Sequence, residues 1–247
     1  MLFRSSFAEI EQPLDRREAE LIARVDQVFI HSPALLAKKG HLNPRTAFVP
    51  NGVDYVAYSS PAAEPADLAA IPRPRVGYVG MIKEMLDLRL LASLAARHPD
   101  WSFVLVGPAR GSAENMAALA APPNVHLLGA RPVEVLPGYI QHMDVCLLPY
   151  RETGYTKFIY PLKLHEYLAT GRPVVGAPIP TLRELEGPVT LAHTVEEWSE
   201  AITRALGPEG TSPVAVEARR RVAREHDWDR LVGRIARSML EQLGMSP

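Results

Sequence analysis

The chain is poor in most of the residues that announce a chemistry. It has a single cysteine, Cys146, set inside an apolar run, so an internal disulfide is excluded and the thiol reads as a small core residue. Aromatic residues make up only 7% and the formal net charge is -1, which leaves no basic surplus for nucleic acid or an anionic membrane. Arginines cluster only at Arg219–Arg221, on what reads as a solvated helix face. No apolar run approaches the roughly 18 residues of a membrane span, and the N-terminus lacks a signal-peptide core, so the cytoplasm is the expected compartment. The 8 histidines are scattered, none in a His-x-x-x-His pair, and no metal is expected. Gly77-Tyr-Val-Gly80 only partly resembles a Gly-x-Gly-x-x-Gly loop, and neither a Walker lysine motif nor a Gly-x-Ser-x-Gly elbow occurs. Dinucleotide oxidoreductases, P-loop NTPases and serine hydrolases therefore lack support.

What is present is an ordinary globular composition, 47% hydrophobic and 22% charged over 247 residues, enough for one large domain or two small ones. The most informative stretch is Tyr155–Pro178, which reads as loop, short helix, turn and buried strand. Pro161 suits the first helical position and Gly171 the left-handed position past the helix end. At 100° per residue Leu164, His165, Leu168 and Ala169 share one side, while Lys163, Glu166 and Thr170 share the other. The run from Pro173 to Ala177 is continuously apolar, as in a parallel strand covered on both faces. On the helix alone Lys163 and Glu166 read as a solvated i,i+3 pair, and His165 as a packed structural histidine. A helix N-terminus with a lysine beside it and a carboxylate one turn later also suits a phosphorylated, hydroxyl-rich ligand.

Met1–Ser6 fits no element; Leu2-Phe3-Arg4-Ser5 matches the translation of a common sequencing adapter, so an assembly scar is expected there. Ala8–Arg24 has helical composition with Leu14, Ala19, Leu21 and Ile22 as candidate buried positions. A strand at Val25–Ile30, a helix from Pro33 to Gly40 capped by Ser32, and a strand at Thr46–Val49 follow, closed by Pro50-Asn51-Gly52-Val53-Asp54. Pro61–Pro74, rich in proline and alanine, is the linker candidate. From Arg75 onward strands and helices alternate about every twelve to fifteen residues, with Gly/Pro turns after the strands. A weak helix over Val133–His142 is broken at Pro137-Gly138, and Val214–Leu243 reads as one long helix. This rhythm predicts βαβ units and an open, doubly wound parallel α/β sheet whose ligands bind at the strands' carboxyl ends. The candidate site comprises Gly80–Lys83, Gly107–Arg110, Gly129–Arg131, Pro149–Tyr160 and the start of the Pro161 helix.

Taken in order, Asn51-Gly-Val-Asp54, Gly77-Tyr-Val-Gly80, Trp101-Ser-Phe-Val-Leu-Val-Gly-Pro108, Asn124-Val-His-Leu-Leu-Gly129, Met143-Asp-Val-Cys-Leu-Leu-Pro-Tyr150 and Pro161–Val175 resemble a GT-B glycosyltransferase. The likeness runs from Glu18 to Leu243 and is similar to the retaining, nucleotide-sugar-dependent group 1 members, most narrowly those of teichuronic-acid type. It implies two Rossmann-like domains, of which residues 1–60 would be a remnant of the acceptor domain. Residues 61–74 would be a linker, 75–213 the nucleotide-sugar donor domain, and 214–247 a C-terminal helix crossing back. The resemblance implies that Glu166 holds the ribose hydroxyls, that backbone N–H groups of Pro161–Lys163 (chiefly Leu162 and Lys163) meet the diphosphate, and that Gly129–Arg131 contacts the base. Gly80 and Gly107, at the carboxyl ends of their strands, are expected to line the donor site. Two departures stand out. The family's first glutamate falls on Phe158, and its basic pair after the first strand of the donor domain is reduced to Lys83. Lys163 and Lys157 are then the expected catalytic cations, with Arg151 helping to neutralise the diphosphate. The position of Asn51 implies an N-terminally truncated member. The implied partners are a nucleotide-sugar donor and a glycan or lipid-linked acceptor, with peripheral contact at the inner face of the membrane through the acceptor. A nucleotide-sugar-binding fragment without transferase activity and a GT-B epimerase are the alternatives.

Overall fold

Each strand beyond Pro74 is a short run edged by glycine or proline, and each is followed by a helix; this is the local grammar of a crossover sheet. The computed structural model describes residues 13–245. Its first part runs α1 (Arg16–Arg24), β1 (Val28–Ile30), α2 (Pro33–Lys39), β2 (Thr46–Phe48), α3 (Tyr55–Ser59) and α4 (Ala66–Ala69). Then come β3 (Arg75–Val79), α5 (Leu88–Arg97), β4 (Ser102–Val106), α6 (Ala113–Ala120), β5 (Val125–Gly129), α7 (Leu136–Gln141) and β6 (Val145–Leu148). The chain continues with α8 (Leu162–Thr170), β7 (Val174–Gly176), α9 (Pro180–Arg183), β8 (Thr190–Leu191), α10 (Val195–Leu206), α11 (Pro213–Glu225) and α12 (Trp228–Gln242).

The six strands from β3 form one parallel sheet in the order β5-β4-β3-β6-β7-β8. The first strand of this unit thus lies mid-sheet, and the winding reverses between β3 and β6. Every residue of β3, β4, β6 and β7 is buried, because helices cover both faces. Leu91 and Leu94 of α5, Leu164 and Leu168 of α8, and Trp198 and Ile202 of α10 supply much of that cover. Cys146 is buried within β6, and burial pushes its thiol up to about 12, which leaves it inert at neutral pH. A separate two-stranded parallel sheet pairs β1 with β2. Among the described residues, no helix is long and apolar enough to cross a membrane.

Several local expectations need correction. The run Val214–Leu243 is not one helix: α11 stops at Glu225 and α12 starts at Trp228. The cause is tertiary, since Val53 donates to the His226 carbonyl and Trp228 donates to the Val53 carbonyl, both at 3.0 Å. The Asp227 carboxylate, meanwhile, takes the backbone N–H groups of Tyr55 and Asp229. Arg219 is not solvated; it is buried, and its Nε donates to the carbonyl of Gly171 at 2.9 Å. The linker candidate Pro61–Pro74 is held in place by packing and hydrogen bonds. Leu68 is fully buried, Glu64 pairs with Arg75, and Gln141 accepts the Ala62 N–H at 2.9 Å. α7 is unbroken at Pro137, which occupies its first turn, where no N–H is required. Of the expected core positions here Leu21 is exposed, while Leu14, Ala19 and Ile22 are half-buried; what was expected of residues 1–12 lies outside the described residues.

Candidate functional site

The site grows from the reversal of strand order. β3 ends in Gly80 and β4 in Gly107, with φ of +142° and +144°, conformations that favour glycine. A Cβ on Gly107 would lie 2.0 Å from the Gly80 carbonyl oxygen, so the two turns touch backbone to backbone. One link further out, Gly107 donates to the Gly129 carbonyl at 2.8 Å.

α8 is clipped to this edge by Tyr167. Its hydroxyl accepts from the Val79 N–H at 2.7 Å and donates to the Val79 carbonyl at 3.2 Å. One turn earlier, Lys163 is thereby laid over Gly80, where a Cβ would meet the lysine Cε at 2.6 Å. Its ammonium donates to the Tyr150 hydroxyl at 3.3 Å and sits 5.2 Å from the centre of the Tyr78 ring. Tyr78 in turn donates to the Met81 carbonyl at 3.1 Å and holds the turn after β3. Burial keeps both Tyr78 and Tyr150 well above the usual phenol range, so they remain neutral hydrogen-bonding groups. Lys83 faces the ring of Tyr155 at 6.0 Å, and Tyr155 feels the charge of Lys163.

Pro161 is the cap of α8 rather than its first helical residue, because its ψ of 122° is extended. No side chain caps the helix, so the N–H groups of Leu162 and Lys163 open its first turn; the Leu162 side chain is half exposed. Glu166 is half-buried, not solvated. Burial raises its carboxyl above the usual range, opposed by the Lys163 charge and by the Tyr58 hydroxyl within hydrogen-bonding reach. His165 is fully buried, its Nε2 2.8 Å from the Tyr160 hydroxyl and its ring stacked on His226 at 3.8 Å between centroids. Burial, with the nearby His226, drives it down to about 2, so it is the neutral packed histidine expected. Asn51 donates to the Tyr160 carbonyl at 2.6 Å and pins the entry to α8.

Three predicted residues stand apart from this cluster. The Arg131 guanidinium is held by Asp67 at 2.6 Å and by the Tyr139 hydroxyl at 2.8 Å, so it fastens α4 and α7 to the end of β5. Arg151 lines a different cavity of about 660 Å³ with Asp87, Asn115 and His193. Lys157 is exposed on the turn Thr156–Phe158, 5.3 Å over the Phe158 ring that Lys38 also approaches at 4.9 Å. Sequence reasoning missed Tyr58 and Tyr78, and included Tyr150 and Tyr155 only as part of the loop Pro149–Tyr160. Tyr78 carried only the signal of a tyrosine near the end of a strand, and no such signal marked Tyr58, which lies in α3.

A doubly wound parallel sheet with a lysine, tyrosines and a carboxylate gathered at its switch point defines a Rossmann-like protein with the fold of GT-B glycosyltransferases. The chain belongs to the glycosyl transferases group 1 family, which matches residues 73–207. It is 31% identical over 194 residues to TuaH of Bacillus subtilis (strain 168), named as a teichuronic acid biosynthesis glycosyltransferase. That match takes in 76% of this chain and 49% of the relative, so the chain spans about half the length of the curated relative it matches. Among solved structures it resembles sucrose-phosphate synthase from Thermosynechococcus elongatus, with a TM-score of 0.75, 21% identity, and coverage of 93% of this chain and 61% of that one. Anabaena HepE in complex with UDP-glucose gives a TM-score of 0.73 at 18% identity, over 92% of this chain and 67% of that one. At those identities the likeness is one of fold.

Proposed function

We propose that this chain binds a nucleotide diphosphate-sugar and transfers the sugar, with retention, to a glycan or lipid-linked acceptor in cell-surface polysaccharide synthesis. The observation that carries the reading is Lys163 laid on Gly80 at the strand-order reversal, with Glu166 one turn further along α8. The diphosphate would lie across Gly80 and the opening N–H groups of α8, and the ribose hydroxyls would donate to Glu166. As the glycosidic bond to the diphosphate breaks, negative charge grows on the leaving oxygen. The Lys163 ammonium and the helix start stabilise it without a metal, with Lys83 as a further cation. Losing one such donor costs about 3 kcal/mol of barrier, roughly a hundredfold in rate. The reaction belongs on the cytoplasmic side, and any membrane contact comes through the acceptor.

Calorimetry tests the donor site. Glu166→Ala is expected to weaken UDP or GDP binding while the melting curve stays cooperative; unchanged heats with both nucleotides would end the reading. A second reading, donor binding without transfer, is favoured by Phe158, which places an aromatic ring between Lys38 and Lys157 where the resemblance implies a glutamate. Turnover of a nucleotide sugar by this chain would reject it.

A further inference from the structure

Far from the donor site, at the opposite ends of the strands, a cavity of about 450 Å³ opens between the α8–β7 turn, the segment before β6 and one face of α11. Its walls include His142, Thr170, Arg172, Thr211 and Arg220, with no carboxylate among the lining residues. Among the described residues the buried Nε of Arg220 has no hydrogen-bond partner, and its Nη2 reaches the Thr170 carbonyl at 3.3 Å. A purely structural role as a helix cap is already filled next door, because Arg219 donates to the Gly171 carbonyl at 2.9 Å. Gly171, at φ +79°, lets Arg220 come close: a Cβ there would be 3.2 Å from Nε. Arg172 has no side-chain hydrogen bond or ion pair among the described residues, and its charge acts against that of buried Arg219. The neighbouring acids are engaged elsewhere, Glu64 with Arg73 and Arg75, Asp144 with Arg73 and Glu217 with Arg224, and the His142 Nε2 lies 3.0 Å from the Ala62 carbonyl.

Gathering like charges around a half-enclosed space is unfavourable unless an anion joins them. Two guanidiniums with unused donors match the oxygens of a tetrahedral dianion, while the Thr170 hydroxyl is already committed to the Tyr167 carbonyl. We propose that this cavity binds a phosphate group, either free phosphate or the phosphoryl end of a small monoester, independently of the donor site. The cavity is roomier than a bare phosphate needs.

The test titrates inorganic phosphate and, separately, glycerol 3-phosphate into the chain already saturated with UDP, by calorimetry. Saturable binding is expected, and Arg172→Gln should weaken it about tenfold while leaving UDP binding unchanged and the ligand-free melting temperature no lower than that of the wild type. Arg220→Gln should weaken it likewise. Tighter binding of the monoester identifies an organic phosphate as the occupant, and equal or tighter binding of phosphate identifies the free ion. Should a variant fail to fold, the wild-type chain still decides: the His142 ring resonances should shift saturably with phosphate in the presence of UDP. Silent His142 resonances, no binding at millimolar phosphate, or binding unaltered in a folded Arg172→Gln chain overturns the proposal. Loss of UDP binding alone would bear on the donor site and not on this one.

Discussion

Replacing Glu166 with glutamine should push binding and stability in opposite directions, an outcome that simple damage to the fold cannot mimic. The substitution keeps the shape and removes the charge. In the proposed complex the ribose hydroxyls donate to a carboxylate, and hydrogen bonds to charged groups contribute about 1.5–3 kcal/mol each. Exchanging that for a neutral carbonyl should cost about 2 kcal/mol, or roughly a thirtyfold weaker UDP complex. Stability moves the other way. Burial holds the Glu166 carboxyl above its usual range in the folded protein. The protonated acid's contribution is therefore fully present below the unfolded pKa and is lost as pH rises through the folded one. Once ionised, the wild-type side chain is a poorly solvated charge that Glu166→Gln lacks, whereas the protonated acid and the amide are both neutral. The variant should melt higher than wild type at pH 8, each kcal/mol appearing as roughly 2–4 °C in a chain of this size, and the difference should shrink as the pH is lowered to 4. Calorimetric UDP titration and thermal melts at the two pH values measure both effects. Unchanged UDP affinity, or a lower melting temperature at pH 8, would refute the reasoning.

Lys163→Met should lower the rate of sugar transfer about a hundredfold with the melting curve little changed, read by donor turnover under saturating substrate. Gly107→Ala places a Cβ 2.0 Å from a backbone oxygen and should destabilise by about 3 kcal/mol in urea unfolding. Gly187→Ala, at φ +110° with nothing within 4 Å, should cost only about 1 kcal/mol of backbone strain. Leu68→Ala should cost about 3 kcal/mol, because Leu68 is fully buried; a loose tether between domains would show almost no change.

The sheet was legible because its punctuation is local. β3, β4, β5 and β6 each end at a glycine or just before one or a proline, and Ser32, Thr194 and Ser212 cap their helices through their own hydroxyls. The features that escaped are those set by distant partners. The break at His226 is made by Val53, and Arg219 is buried because the end of α8 needs a donor, neither of which shows in the spacing of α11 and α12. Lys163 and Glu166 looked like a solvated pair on a helical projection. The projection contains neither Gly80, which lets the lysine lie flat, nor Tyr58, which faces the carboxylate. Arg131 stood at the predicted turn, but a sequence cannot show that Asp67 has already claimed its charge.

Soaking crystals of this chain in UDP would test the donor site most directly. The account predicts difference density with the diphosphate about 3 Å from the Lys163 ammonium and the ribose hydroxyls against Glu166. A nucleotide seated in the cavity beside Arg151, or with its phosphates turned away from Lys163 and Gly80, would contradict it.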